Sequence, residues 1–211
     1  MEYKIIEVIK KSTPFTPVVK IIDYRGQKAV LKDYSECSGL TRTVWGNTLV
    51  GNEIAVMKHL RGVSGIPALI DRTEAGLITE HIQGEPLGQW IKSRQNYEII
   101  PRIEAVISAI HAKGVVHLDL AQKRNILVGP DMKPYLIDFA NALYFRRRAF
   151  GFKQIFNYLC LIDRASLLKF KNRYFPEKMT AQDKKFMRWF WRVRRLWIFS
   201  RKNYRPSDDI K

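Results

Sequence analysis

Apolar runs at residues 5–9, 18–22 and 29–31 are separated by Ser, Thr and Pro and by the segment 23–27, which carries Gly26. Short β-rich runs broken by turn-forming residues predict an antiparallel meander. Two further strands are expected at residues 65–70 and 76–82, with 83–86 as the break after them. Residues 51–60 predict a helix, with Ile54, Met57 and Leu60 on one face and Glu53 near its start. A short helix is expected from Leu87 to Lys92. A longer one is expected over 101–111, where Pro101 suits the first turn, Ile103, Val106, Ile107 and Ile110 share a face, and Gly114 supplies the stop. Strands at 126–128 and 135–137 are joined by a turn at Pro130 and Asp131. Residues 152–170 carry Ile155, Leu159, Ile162 and Leu168 at helical spacing. A last helix over 183–199 gathers Phe186, Trp189, Phe190, Val193, Leu196 and Trp197 on one face and Lys184, Lys185, Arg188, Arg192 and Arg195 opposite. The segment 34–50 has no clear pattern.

Composition narrows the class. The chain has 211 residues, 46% of them hydrophobic, enough for one sizeable core or two small lobes. Cys37 and Cys160 form no disulfide framework or metal-ligand spacing, which fits a reducing, cytoplasmic compartment. The N-terminus lacks the basic-then-apolar layout of a signal peptide, and no apolar run approaches the roughly 20 residues of a membrane span. The formal net charge of +17 is unevenly placed: residues 1–142 carry 18 Lys/Arg against 15 Asp/Glu, and residues 143–211 carry 19 against 5. The C-terminal third therefore calls for an anionic partner: phosphates, nucleic acid or a membrane surface.

The candidate chemistry lies in residues 115–140. Asp119, Asn125 and Asp138 stand at the ends of short apolar runs, and two carboxylates with an amide oxygen suit Mg²⁺, a hard cation that shares its oxygen ligands with substrate phosphates. Taken singly, His117 and Asp119 could cap a turn and Asp138 could end a strand.

His117-Leu-Asp119 with Asn125, followed by Asp138-Phe139-Ala140, resembles the catalytic and metal-binding loops of the protein-kinase-like superfamily. The resemblance implies an α+β, bilobal fold. Residues 1–82 would form a β-rich nucleotide-binding lobe, and 83–211 a compact, truncated helical catalytic lobe ending in a basic aromatic helix. It implies ATP and Mg²⁺, with Asn125 and Asp138 on the metal. Asp119 would be the base that aligns an acceptor hydroxyl, and His117 a packed scaffold residue. Residues 29–32 are similar to the strand whose lysine pairs ATP phosphates. Lys32 would then bind ATP and serve catalysis, held by Glu53, which lies 21 positions further on. An exposed strand lysine and a first-turn glutamate are the structural alternatives. Main-chain groups near Glu80 and Ile82 would meet the adenine edge, with Thr79 bordering the pocket.

The chain also departs from that pattern. Five residues, Leu120 to Arg124, separate Asp119 from Asn125 where four are usual, and Ala140 replaces a glycine, restricting that loop. Residues 10–17 contain no glycine and two prolines without N–H groups, so Ser12 and Thr13 are the expected phosphate donors there. Ala121 stands where protein kinases often have lysine, which leaves Lys123 or Arg124 as a cation for the transferred phosphoryl. Arg146, Arg147 and Arg148 either bind an acidic substrate or form a solvated run. No Ala-Pro-Glu segment appears, and 73 residues follow Asp138, too few for a full kinase lobe.

These features resemble small bacterial lipopolysaccharide-core (heptose or Kdo) kinases, which are similar to RIO-type atypical kinases; the motifs cover about residues 28–142. The resemblance implies transfer of the ATP γ-phosphate to a sugar of an anionic glycolipid. Residues 143–211 would make peripheral contact with the inner face of the cytoplasmic membrane. A RIO-like Ser/Thr protein kinase docking on RNA or a ribosome, and a pseudokinase scaffold, are the alternatives. Packing of the last helix on the lobe is compatible with any of them.

Overall fold

The computed structural model describes residues 2–14, 16–37, 47–145 and 152–195. The Arg146–Arg148 run, residues 38–46 of the unassigned segment 34–50, and Leu196 and Trp197 of the last expected helix lie outside them. The meander forms as the turn chemistry predicts: β1 (Lys4–Lys10), β2 (Val18–Tyr24) and β3 (Gln27–Asp33) run antiparallel. With β4 (Leu69–Thr73) and β5 (Gly76–Glu80) they make a five-stranded sheet in the order β1-β2-β3-β5-β4.

Two strand expectations shift. β4 starts at Leu69, because Gly65 at φ +83° turns away from the sheet and its carbonyl accepts the Leu136 N–H at 2.9 Å. A side chain at Gly65 would strike the Pro134 carbonyl at 2.8 Å, so only glycine permits this approach. β5 ends at Glu80, two residues before the expected boundary. Gly76 pairs with Asp33 so closely that a Cβ there would strike the Lys32 carbonyl. That contact sets β5 against the strand carrying Lys32.

Helix α1 (Asn47–His59) begins upstream of the expected start, so Glu53 sits beyond its first turn and the first-turn reading of Glu53 falls. α2 (Leu87–Arg94) and α3 (Ile99–Ala112) follow, and α3 buries Ile103, Val106, Ile107 and Ile110 as the period-3.6 pattern requires. Two small sheets support the loops at the centre. One joins β6 (Glu85–Pro86), β8 (Ile126–Val128) and β9 (Pro134–Leu136), and the other joins β7 (Val115–Val116) with β10 (Leu143–Tyr144). α4 (Phe152–Tyr174) and α5 (Ala181–Arg195) complete the described chain.

The architecture is the α+β arrangement expected, with an antiparallel sheet at one end and helices at the other. The largest apolar core does not stop at residue 82: Ile54 and Met57 of α1 and Leu77 of β5 belong to the same buried cluster as Ile103, Ile126 and Phe170. A smaller cluster of Ile22, Tyr24, Ala29, Leu31 and Ile78 fills the sheet. α5 packs on α4 through Met187 and Phe190, with Phe186 and Trp191 beside them. Its rotation differs from expectation, since Trp189 is 46% exposed beside exposed Lys185, Arg188 and Arg192. Both cysteines are free thiols, and no helix of the described residues is long and apolar enough to cross a membrane.

Candidate active site

Three elements converge on one ammonium. Lys32 on β3 donates to both carboxylate oxygens of Glu53, at 2.8 and 3.0 Å, and to Asp138 at 2.6 Å. Its side chain is 15% exposed and that of Glu53 is 4%, so the exposed-lysine alternative falls. Burial alone would lower the Lys32 pKa, but the carboxylates of Glu53 and Asp138 outweigh it and hold the ammonium above its usual range. For Asp138 burial acts to raise the pKa, yet the Lys32 ammonium leaves the carboxyl below its ordinary value. Both groups are charged at neutral pH.

α1 also fixes the chain after Asp138. Glu53 accepts the Phe139 N–H at 3.2 Å, and the Asn52 side-chain amide donates to the carbonyls of Ala140 and Ala142 at 3.3 and 2.8 Å. Asp138 takes φ +68°, and the fully buried Phe139 ring lies 4.8 Å from the His117 ring. Ala140 stands in a 3₁₀ turn over Phe139–Asn141.

The β8–β9 hairpin brings Asn125 and Asp138 to one end. Ile126 pairs with Leu136, and the Ile137 N–H then reaches the Asn125 carbonyl at 2.9 Å, so the two side chains project from adjacent strand ends. The Asn125 amide nitrogen donates to the Asp119 carbonyl and to its carboxylate Oδ2, both at 3.0 Å. With its nitrogen so engaged, the amide oxygen is the atom of the Asn125 side chain left to serve as a ligand. Asp138 remains 37% exposed at its side chain. One amide oxygen and one ionised carboxylate fit Mg²⁺, which draws its other ligands from phosphate and water. No cluster of three His, Cys, Asp or Glu among the described residues could hold a metal alone.

His117 is fully buried and in the neutral form its partners demand. Its Nε2 lies 3.0 Å from the Ile137 carbonyl and must donate, while its Nδ1 lies 3.4 Å from the Asp119 N–H and must accept. Burial pushes its pKa down, against the pull of Asp163. It is a scaffold for the loop.

Asp163 was not legible as a site residue. Fully buried on α4, it accepts the His117 and Leu118 N–H groups at 2.8 Å each and contacts His111 Nε2 at 2.9 Å. It thereby holds Leu118, at φ +66°, in a left-handed conformation that side chains resist. The one available signal was a carboxylate amid the apolar positions of a helix.

The other expected residues have these surroundings. The Ser12 hydroxyl donates to Glu36 at 2.6 Å and the Thr13 hydroxyl meets that of Thr16 at 2.8 Å, so both hydroxyls have partners within the protein. Glu80 gives its N–H to the Ala68 carbonyl at 2.8 Å and takes the Ala68 N–H on its carboxylate at 3.1 Å. Ile82 and Thr79 are half-buried at the end of β5 and just beyond it. The Lys123 ammonium bonds the Tyr174 hydroxyl at 2.7 Å, and Arg124 is exposed.

Comparison with known proteins gives two findings. Residues 19–152 match the RIO domain family. The chain is also 27% identical to a probable SapB synthase of Streptomyces coelicolor, over 56% of this chain and 15% of that protein. The family match over residues 19–152 contains Lys32, Glu53, Asp119, Asn125 and Asp138.

Proposed function

Because the chain belongs to the RIO domain family, an ATP-dependent kinase family, we propose that it moves the ATP γ-phosphate to a sugar hydroxyl of an anionic glycolipid, the lipopolysaccharide inner core. The Lys32–Glu53–Asp138 constellation opposite Asp119 carries the phosphotransfer reading. Lys32 would hold the nucleotide phosphates, Asn125 and Asp138 would hold Mg²⁺, and Asp119 would orient the acceptor hydroxyl and take its proton. When bound, the metal neutralises charge on the phosphates. The protein's contribution is positioning and fixed charge.

Two features support a non-peptide acceptor at the inner face of the cytoplasmic membrane. Only 13 residues lie between Asp138 and the first residue of α4, a short interval for a peptide-docking activation segment. The exposed side of α5 presents Lys185, Arg188 and Arg192 around Trp189, a pattern suited to an anionic lipid interface. The family match itself favours a second reading, a RIO-like protein kinase acting on a protein or ribonucleoprotein acceptor.

Radiolabelled ATP offered side by side to lipopolysaccharide, a protein mixture and ribosomal particles separates the two. Label in the lipopolysaccharide is the expected result; label confined to protein replaces the sugar reading with the second. Asp119→Ala should lower transfer by roughly 10²–10⁴. Transfer unchanged by that substitution removes Asp119 as the base.

A further inference from the structure

The loop from Asp119 to Asn125 holds one residue more than the kinase pattern it resembles, and the structure shows where the extra length goes. Gln122 turns inward: its Nε2 donates to Asp119 Oδ2 at 2.6 Å, and its backbone N–H reaches the Asp119 carbonyl at 3.3 Å. The same Oδ2 receives the Asn125 amide at 3.0 Å. Lys123, the next residue, turns outward to the Tyr174 hydroxyl, with its stem against Gly88 of α2. The carboxylate is therefore gripped on one oxygen by two neutral amides, and no lysine of its own loop reaches it.

We infer that Gln122 is a positioning residue for phosphotransfer, clamping Asp119 Oδ2 so that Oδ1 faces the acceptor hydroxyl. The inference rests on the kinase reading of the site and adds a residue that the loop motif does not contain. A carboxylate attached through a single Cβ rotates unless both its lone-pair edge and its backbone are fixed. Asn125 fixes it from the β8 side and Gln122 from within the loop. Two donors on one oxygen leave the other as the acceptor for the incoming O–H, and orientation of this kind is worth large rate factors when the reacting atoms must be held near 3 Å. Because the donors are amides, they orient the carboxylate without the competing charge that a lysine would bring.

The test uses the full chain with Gln122→Ala, Gln122→Met and Gln122→Glu. Gln122→Met keeps length without the amide, and Gln122→Glu keeps shape but sets a second carboxylate against Asp119. ATP turnover with water as acceptor is measured with lipopolysaccharide absent and present, together with KM for ATP and the thermal shift given by ATP and Mg²⁺. The expected result is a fall in kcat of about 10–100-fold for Gln122→Ala and Gln122→Met, and a larger fall for Gln122→Glu. KM for ATP and the thermal shift should stay at wild-type values. Asp119→Ala combined with Gln122→Ala should be no slower than Asp119→Ala alone, since the clamp has nothing left to hold. Wild-type kcat in the Gln122 variants overturns the inference, as does a fall in kcat matched by loss of ATP binding, which would make Gln122 a structural support of the loop. If Asp119→Ala is itself silent, Asp119 is not the base and the role assigned to it, on which the inference rests, fails instead; the single variants distinguish the two failures.

Discussion

The neutral ring of His117 makes the site sensitive to acid from within. The fold offers that ring one carbonyl and one N–H, which only the uncharged imidazole satisfies, and burial lowers its pKa further. In the unfolded chain the same ring takes up a proton below about pH 6.5. The unfolded state then binds the extra proton, so stability falls as pH drops through that value toward the depressed folded pKa. Urea unfolding of wild type from pH 7.5 to 5 should show this loss, and His117→Gln should flatten it. Parallel profiles for the two proteins would deny the ring its role. Asp119, Asn125 and Asp138 stand out by their spacing at the ends of apolar runs because they lie within one loop and one hairpin, and with His117 they take their roles from the resemblance. Asp163 does not stand out, since its partners lie 45 and 46 positions away and helical periodicity treats a lone buried carboxylate as noise. Lys32 and Glu53 were legible only through resemblance; the charge pair that unites them is a product of tertiary packing.

At the scale of elements, β-hairpins and helices followed their turn residues and apolar periods, and the errors have physical sources. The apolar run predicts a strand from Gly65, but the backbone conformation of that glycine serves a contact with β9. The helical wheel of α5 puts Trp189 on one face with Phe190, whereas Met187 and Phe190 are buried and Trp189 is exposed. Periodicity gives a helix an apolar side but leaves its rotation free when aromatic residues ring so much of it. A buried ion pair settles the rotation: Lys171 of α4 donates to Asp183 at 2.8 Å, with the two side chains 10% and 12% exposed. Asp183 also accepts the Thr180 N–H, and the Thr180 hydroxyl accepts the Asp183 N–H, each at 3.1 Å, a reciprocal cap at the start of α5. Asp183→Asn should leave the buried Lys171 ammonium without its counter-ion, Tyr97 remaining beside it, and cost about 3–5 kcal/mol in urea unfolding. Pairing that change with Lys171→Met should recover much of the loss. If the double variant is as unstable as the sum of the single ones, the ion pair is not what orients α5.

For the whole molecule, the position of the charge triad relative to the core matters most. Lys32 belongs to the sheet, Glu53 to α1 and Asp138 to the segment after β9, while α1 and β5 share their apolar core with α3, β8 and α4. The nucleotide reading therefore places a polyanion and its metal where three elements already meet around buried charges, and binding there must tighten the fold as a unit. At about 100 times Kd, a ligand specific to the folded state adds about 2.7 kcal/mol of stability. For a chain of this size that corresponds to a rise in Tm of about 5–10 °C. ATP with Mg²⁺ should produce such a rise in wild type, and ATP with EDTA a smaller one. Asp138→Asn keeps the shape of the side chain but lacks the negative charge, so in that variant the Mg²⁺-dependent part should vanish while the unliganded Tm drops as Lys32 loses one of its two carboxylates. A Mg²⁺-dependent shift of equal size in wild type and variant would move the metal away from Asp138 and, with it, the phosphate-transfer geometry built around that residue.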